Sequence, residues 1–160
     1  MKKLLLAALF SMSALAHAGD VDVQSPWVRG TVDGQKASGA FMTLTSARGA
    51  ALVGVAVSKT VAEDAQVHEM KMDGDRMSMG PVARVELPAG KPVTLASGGY
   101  HIMLTGLKQT LKPGSNVLLE LKIETPAKRI ETIKVNAPVR DLASSMKGTS
   151  GMNMGNDHHM

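Results

Sequence analysis

Between Val21 and about Val135 the chain alternates short apolar runs with turn residues. Ten segments read as strands: Val21–Val28, Ser38–Thr45, Ala51–Ser58, Gln66–Met72, Arg76–Met79, Ala83–Leu87, Val93–Leu95, His101–Leu104, Asn116–Ile123 and Ile130–Asn136. Asp33-Gly34, Asp73-Gly74, Pro88-Ala89-Gly90, Gly98-Gly99 and Lys112-Pro113-Gly114 punctuate them. No long segment has a helical period. Many short strands at near-regular spacing predict an all-β antiparallel sandwich or barrel, with Pro26 and Pro92 at edges or strand starts.

The two ends differ from this pattern. Met1-Lys2-Lys3 is a short positive start, and Leu4 to Leu15 is apolar apart from Ser11 and Ser13. Ala16-His17-Ala18 fits the small-x-small cleavage rule. Residues 1–18 therefore read as a signal peptide, too short to span a membrane, that directs the chain to the periplasm. Ala14-Leu15-Ala16 also fits the rule, and cleavage there would leave His17 as the N-terminus, where its amine and ring could chelate a metal ion. Residues 19–142 then read as one domain. Residues 143–160 read as a flexible tail, because Ser144 to Met160 is mostly Ser, Gly, Asn, Met and His, with no branched aliphatic side chain.

Composition narrows the chemistry. Without Lys2 and Lys3, 16 Lys and Arg face 14 Asp and Glu, a net charge of +2. The basic residues are scattered and aromatics are scarce, which argues against nucleic acid. Nothing in the pattern calls for stable membrane insertion. The absence of cysteine excludes disulfides, thiolate zinc sites, iron–sulfur clusters and cysteine-ligated blue copper. A metal would have to use His, Met, carboxylate or backbone groups.

After residue 18 only four histidines remain, His68, His101, His158 and His159, and each has a methionine within two positions. Met70, Met72, Met77 and Met79 crowd one expected hairpin, and Met146, Met152, Met154 and Met160 lie in the tail. If Asp73 and Gly74 form a two-residue turn, Met70 pairs with Met77 and His68 with Met79. Paired residues share a face, as do His101 and Met103 two apart on their strand. Two His–Met pairs could then converge on one four-coordinate pocket, and neutral thioethers with neutral imidazoles suit Cu(I). Single methionines on strands are commonly core filler, which is the reading for Met42 beside Phe41. Met70, Met72 and Met77 could be core, exposed rim or a path of access.

The spacing then points to a family. His68, ten residues, Met79, twenty-one residues and His101-Ile102-Met103 resembles the signature of the periplasmic copper chaperone family PCuAC. Gly39-Ala40-Phe41-Met42, Val67-His68-Glu69-Met70 and the stretch from Leu107-Lys108-Gln109 to Lys112-Pro113-Gly114 are similar as well. The resemblance covers roughly Val21 to Ile133. It implies a cupredoxin-like Greek-key β-barrel, Cu(I) at His68, Met79, His101 and Met103, and copper delivery during cytochrome oxidase assembly, to an oxidase subunit or a Sco-type copper protein. The tail resembles Met/His-rich extensions implicated in Cu(II) binding. Met152, Met154, His158, His159 and Met160 are its candidate ligands, with His158 and His159 supplying nitrogen. A copper-buffering or resistance protein would present the same site without dedicated delivery. A copper enzyme would need an open coordination position and a substrate cleft, which the sequence does not show.

Overall fold

The structure is a computed structural model that describes residues 20–141. The signal-peptide reading of residues 1–18, His17 and the tail of residues 143–160 lie outside the described residues. All regular secondary structure among the described residues is β: β1 (Val21–Arg29), β2 (Ala37–Ser46), β3 (Ala50–Val57), β4 (Ala62–Asp73), β5 (Arg76–Pro81), β6 (Val85–Leu87), β7 (Pro92–Leu95), β8 (Tyr100–Leu107), β9 (Asn116–Glu124) and β10 (Ile130–Arg140). Each strand expected from the sequence is present. β4 begins four residues early, because pairing with β8 carries the Ala62–Ala65 stretch, whose residue types have little strand preference of their own.

The strands join in the order β5-β4-β8-β2-β1-β10-β9-β3-β6, with β7 also on β2. β2 is long enough to serve two partners: Ala37–Ala40 pairs with β8 and Met42–Thr45 with β7. The sheet winds around one core, so that β3 returns to pack against β4. One pairing departs from the antiparallel expectation. β1 and β10 are parallel, at Val28–Val139 and Arg29–Arg140. A parallel pair needs a long connection, and here the rest of the domain supplies it.

Strand alternation divides inside from outside. Ala40, Met42 and Leu44 of β2, Ala65 and Val67 of β4, and Ile102 and Leu104 of β8 face the core with the inner residues of β9 and β10. Met42 is the core residue the sequence suggested. The intervening residues of the same three strands, including Gly39, Phe41, His68, His101 and Met103, therefore lie on the outer face. β1 reaches that face by a different device. Its inward positions are Val21 and then Val28, a change of parity made possible by a bulge between Gln24 and Trp27. Ser25 takes a positive φ of 49° there, and Pro26 sits in the bulge of an interior strand instead of at an edge. Pro92 begins β7, as expected.

Ile102 is fully buried and lies between the two outward residues His101 and Met103, so its packing fixes the height and tilt of both. Replacement of Ile102 by Ala should lower stability by about 2–5 kcal/mol in denaturant unfolding. A cost below about 1 kcal/mol would show that β8 is not held by this side chain.

Candidate metal centre

The hairpin turn differs by one residue from the sequence expectation. Gly74 and Asp75 occupy the loop, and Asp73 stays in the strand opposite Arg76. Gly74 has φ +61°, and glycine in the first loop position is what a II′-type hairpin requires. The register therefore moves by two: His68 faces Pro81, not Met79, while Met79 faces Met70 and Met77 faces Met72. A shift of two preserves faces, so these side chains stay together on one surface with Met79 one step nearer the tip.

The partner of His68 comes from the other side. β8 pairs antiparallel with β4 so that His68 lies opposite His101 and Gln66 opposite Met103. The two imidazole centroids are 6.0 Å apart, with planes inclined at 51°. His101 is 6 % exposed, although it is on the outer face. Beside it opens a cleft of about 230 Å³ lined by Met70, Met79, His101 and Met103, with Gly39 and Arg29 at its wall. The structure thus brings Met79, His101 and Met103 to one cleft. His68 stands next to His101 without lining it.

The hydrogen bonds fix the tautomers. His101 Nδ1 lies 3.2 Å from the carbonyl oxygen of Gly99, which can only accept, so Nδ1 carries the proton and Nε2 keeps a free lone pair. His68 Nε2 lies 3.3 Å from Gln66 Oε1, and the same logic leaves the lone pair on Nδ1. That Nδ1 is buried and has no hydrogen-bond partner. Burial, assisted by the neighbouring His101, holds the His68 pKa below the ordinary histidine value. Both effects favour the neutral ring, which is the form that binds metal. Among the described residues no three His, Cys, Asp or Glu side chains gather into a metal-holding group. The side chains that line the cleft beside His101 include three thioethers, Met70, Met79 and Met103.

Several residues of the surroundings are not obvious from the sequence. Gly39 pairs with Met103 and has no side chain to crowd it. A Cβ at Gly39 would approach the Phe41 ring to 2.8 Å. Phe41 packs on Trp27 at 4.6 Å between ring centroids, and the Arg29 guanidinium lies over the Phe41 ring at 5.3 Å. The shared face of Gly39 and Phe41 follows from alternation. The outward turn of Trp27 and Arg29 depends on the Ser25–Pro26 bulge, which has no clear sequence signal. The tail ligands Met152, Met154, His158, His159 and Met160 lie outside the described residues.

Comparison with known proteins fits this fold. The fold is that of PCuAC domains, all-β and cupredoxin-like. The apo PCuAC domain from PmoF1 superposes with a TM-score of 0.61 at 24 % identity, covering 77 % of this chain and 95 % of that domain. Apo-DR1885 from Deinococcus radiodurans gives a TM-score of 0.58 at 29 % identity over 88 % of this chain and 92 % of the other. Its Cu(I) form gives 0.54 at 33 % identity, covering 81 % and 85 %. The family described as "Putative lipoprotein LpqE-like" matches residues 21–139, and the chain belongs to this LpqE-like family. A curated relative, "Putative lipoprotein Lxx21020" of Leifsonia xyli subsp. xyli (strain CTCB07), is 30 % identical over 136 residues, 84 % of this chain and 78 % of its own length.

In the apo protein, NMR titration should place the His68 midpoint below about 6.5, and His101→Gln should raise it part of the way by removing a like charge. A midpoint at or above the ordinary value would contradict the burial of this ring.

Proposed function

We propose that this chain is a periplasmic copper chaperone. It holds Cu(I) with His68, Met79, His101 and Met103 and delivers it during assembly of the cytochrome oxidase copper centres, to an oxidase subunit or a Sco-type copper protein. The observation that carries the reading is the buried, unpartnered Nδ1 of His68 beside His101, next to a cleft lined by thioethers. A buried acceptor without a partner is costly unless something binds it, and a metal ion does so. Two neutral nitrogens and two neutral sulfurs select a soft monovalent ion over zinc, magnesium or calcium. The hydrogen bond from His101 Nδ1 to Gly99 orients its ring, as second partners of metal-binding imidazoles do.

The relatives support the same reading. DR1885 is described in a Cu(I) form, and the PCuAC domain of PmoF2 in a copper-bound one. The lipoprotein names of the family agree with export, as does the reading of residues 1–18 as a signal peptide. Among the described residues no helix is long and apolar enough to cross a membrane. The protein acts as a carrier, not as an enzyme. The two imidazoles are largely covered, whereas Met79 is 48 % exposed and is the ligand a recipient can reach first. The tail adds a second role: Met152, Met154, His158, His159 and Met160 capture Cu(II), and one electron from an external reductant, giving Cu(I), would reverse the preference in favour of the sulfur-rich site.

Competition with a Cu(I) chelator tests the ligand set. Met103→Ala and Met79→Ala should each weaken Cu(I) binding at least about tenfold, which is about 1.4 kcal/mol. Because both thioethers point away from the core, apo stability should change by less than about 1 kcal/mol. Affinity should also fall as pH drops below about 6.5, since protons compete for imidazole and not for thioether. Unchanged affinity with a large loss of stability would make these residues packing groups.

Truncation after Leu142 should leave Cu(I) affinity intact and reduce Cu(II) stoichiometry, read by titration and paramagnetic resonance. Identical Cu(II) spectra with and without the tail would remove its copper role.

A further inference from the structure

The hairpin carries more sulfur than the four-ligand site uses. Met70 pairs with Met79, and Met72 pairs with Met77 one step farther out. All four share the surface that holds His68, because the pairs are two residues apart on both strands. Met70 and Met79 line the cleft, whereas Met72 and Met77 are 67 % and 63 % exposed. Methionine is mainly an interior residue, and these two bury too little to serve the core. The ionic groups of the hairpin lie elsewhere: Lys71 pairs with Glu69 at 2.9 Å on the opposite surface, and Asp73 faces Arg76.

We propose that Met72 and Met77 form a second, weaker Cu(I) site at the hairpin tip, and that it exchanges the ion with the cleft through the Met70–Met79 pair. The inference rests on the copper reading of the cleft. Paired Cβ atoms in such a ladder are about 4.5–5.5 Å apart, so two flexible thioethers can close on one ion from both strands. Successive pairs are about 7 Å apart along the strands, a step that a side chain as long as methionine can bridge. Every ligand on the route is a neutral thioether. The ion therefore moves by ligand exchange alone, with no proton released and no change of oxidation state. Two exposed thioethers bind less tightly than two thioethers with two oriented imidazoles, so the gradient runs inward. A recipient with its own soft ligands meets the tip first. A captured ion at the tip is held at high effective concentration near the cleft, which speeds loading and release without altering the final affinity.

The test uses the full chain labelled in its methionine methyl groups and titrated with Cu(I) under reducing conditions, beside the double variant Met72→Leu/Met77→Leu. Leucine keeps the apolar surface and removes the sulfur. In the wild type the Met79 and Met103 methyls should shift with the first equivalent, and those of Met72 and Met77 with excess ion. The double variant should keep Cu(I) affinity within about twofold but lose Cu(I) to a competing chelator at least about tenfold more slowly. Wild-type exchange rates in the double variant, or Met72 and Met77 methyls that never move, would overturn the proposal and leave the tip as an apolar surface. Silence of the Met79 and Met103 methyls would instead overturn the copper reading of the cleft, and the relay with it.

Discussion

The antiparallel pairing of β4 with β8 is the constraint on which the site depends. It sets His68 opposite His101 and Gln66 opposite Met103 on the outer face of the sheet, while Val67 and Ile102 anchor the same strands inside. Strand geometry leaves no freedom to place one histidine without the other. A slip of β4 by one residue would turn His68 into the core and expose Val67, exchanging a buried apolar side chain for a polar one, and a slip of β8 would do the same with His101 and Ile102. The core therefore enforces the register, and the register positions the imidazoles. The hairpin of β4 and β5 then extends the same surface with thioethers.

The surroundings keep that pair in the neutral form that would suit a soft ion. Gly99 and Gln66 each hold one ring nitrogen of a histidine and leave the other free. Burial disfavours the imidazolium at His68. Gly39 keeps the space beside Met103 open, and the stacked Trp27, Phe41 and Arg29 form a firm wall. On the proposed reading, neutral ligands in a half-covered cleft would disfavour the hard divalent ions that a carboxylate cluster attracts. Such a site would also let an ion depart, because no strong charge attraction would have to be broken.

Much of this was legible in the sequence, for identifiable reasons. All ten strands carry alternation or apolar runs bounded by Gly, Pro or Asp turns, and the outward His-x-Met of β8 follows from a period of two. The detailed pairing was not legible, because Asp73-Gly74 and Gly74-Asp75 are both acceptable two-residue loops. The preference for glycine at the first loop position decided between them and moved Met79 from His68 to Met70. Sequence spacing alone also could not place β8 beside β4, since the two are joined only through β5, β6 and β7. The bulge that turns Trp27 and Arg29 outward follows from an inward-facing parity that no local motif announces.

The central claim is that two imidazoles and two thioethers meet at one ion. X-ray absorption on the full chain loaded with one equivalent of Cu(I) reads that shell directly. The account predicts two sulfur and two nitrogen scatterers, with one sulfur lost in Met103→Ala. A shell of nitrogen and oxygen alone, or a sulfur signal untouched by replacement of Met79 and of Met103, would contradict it.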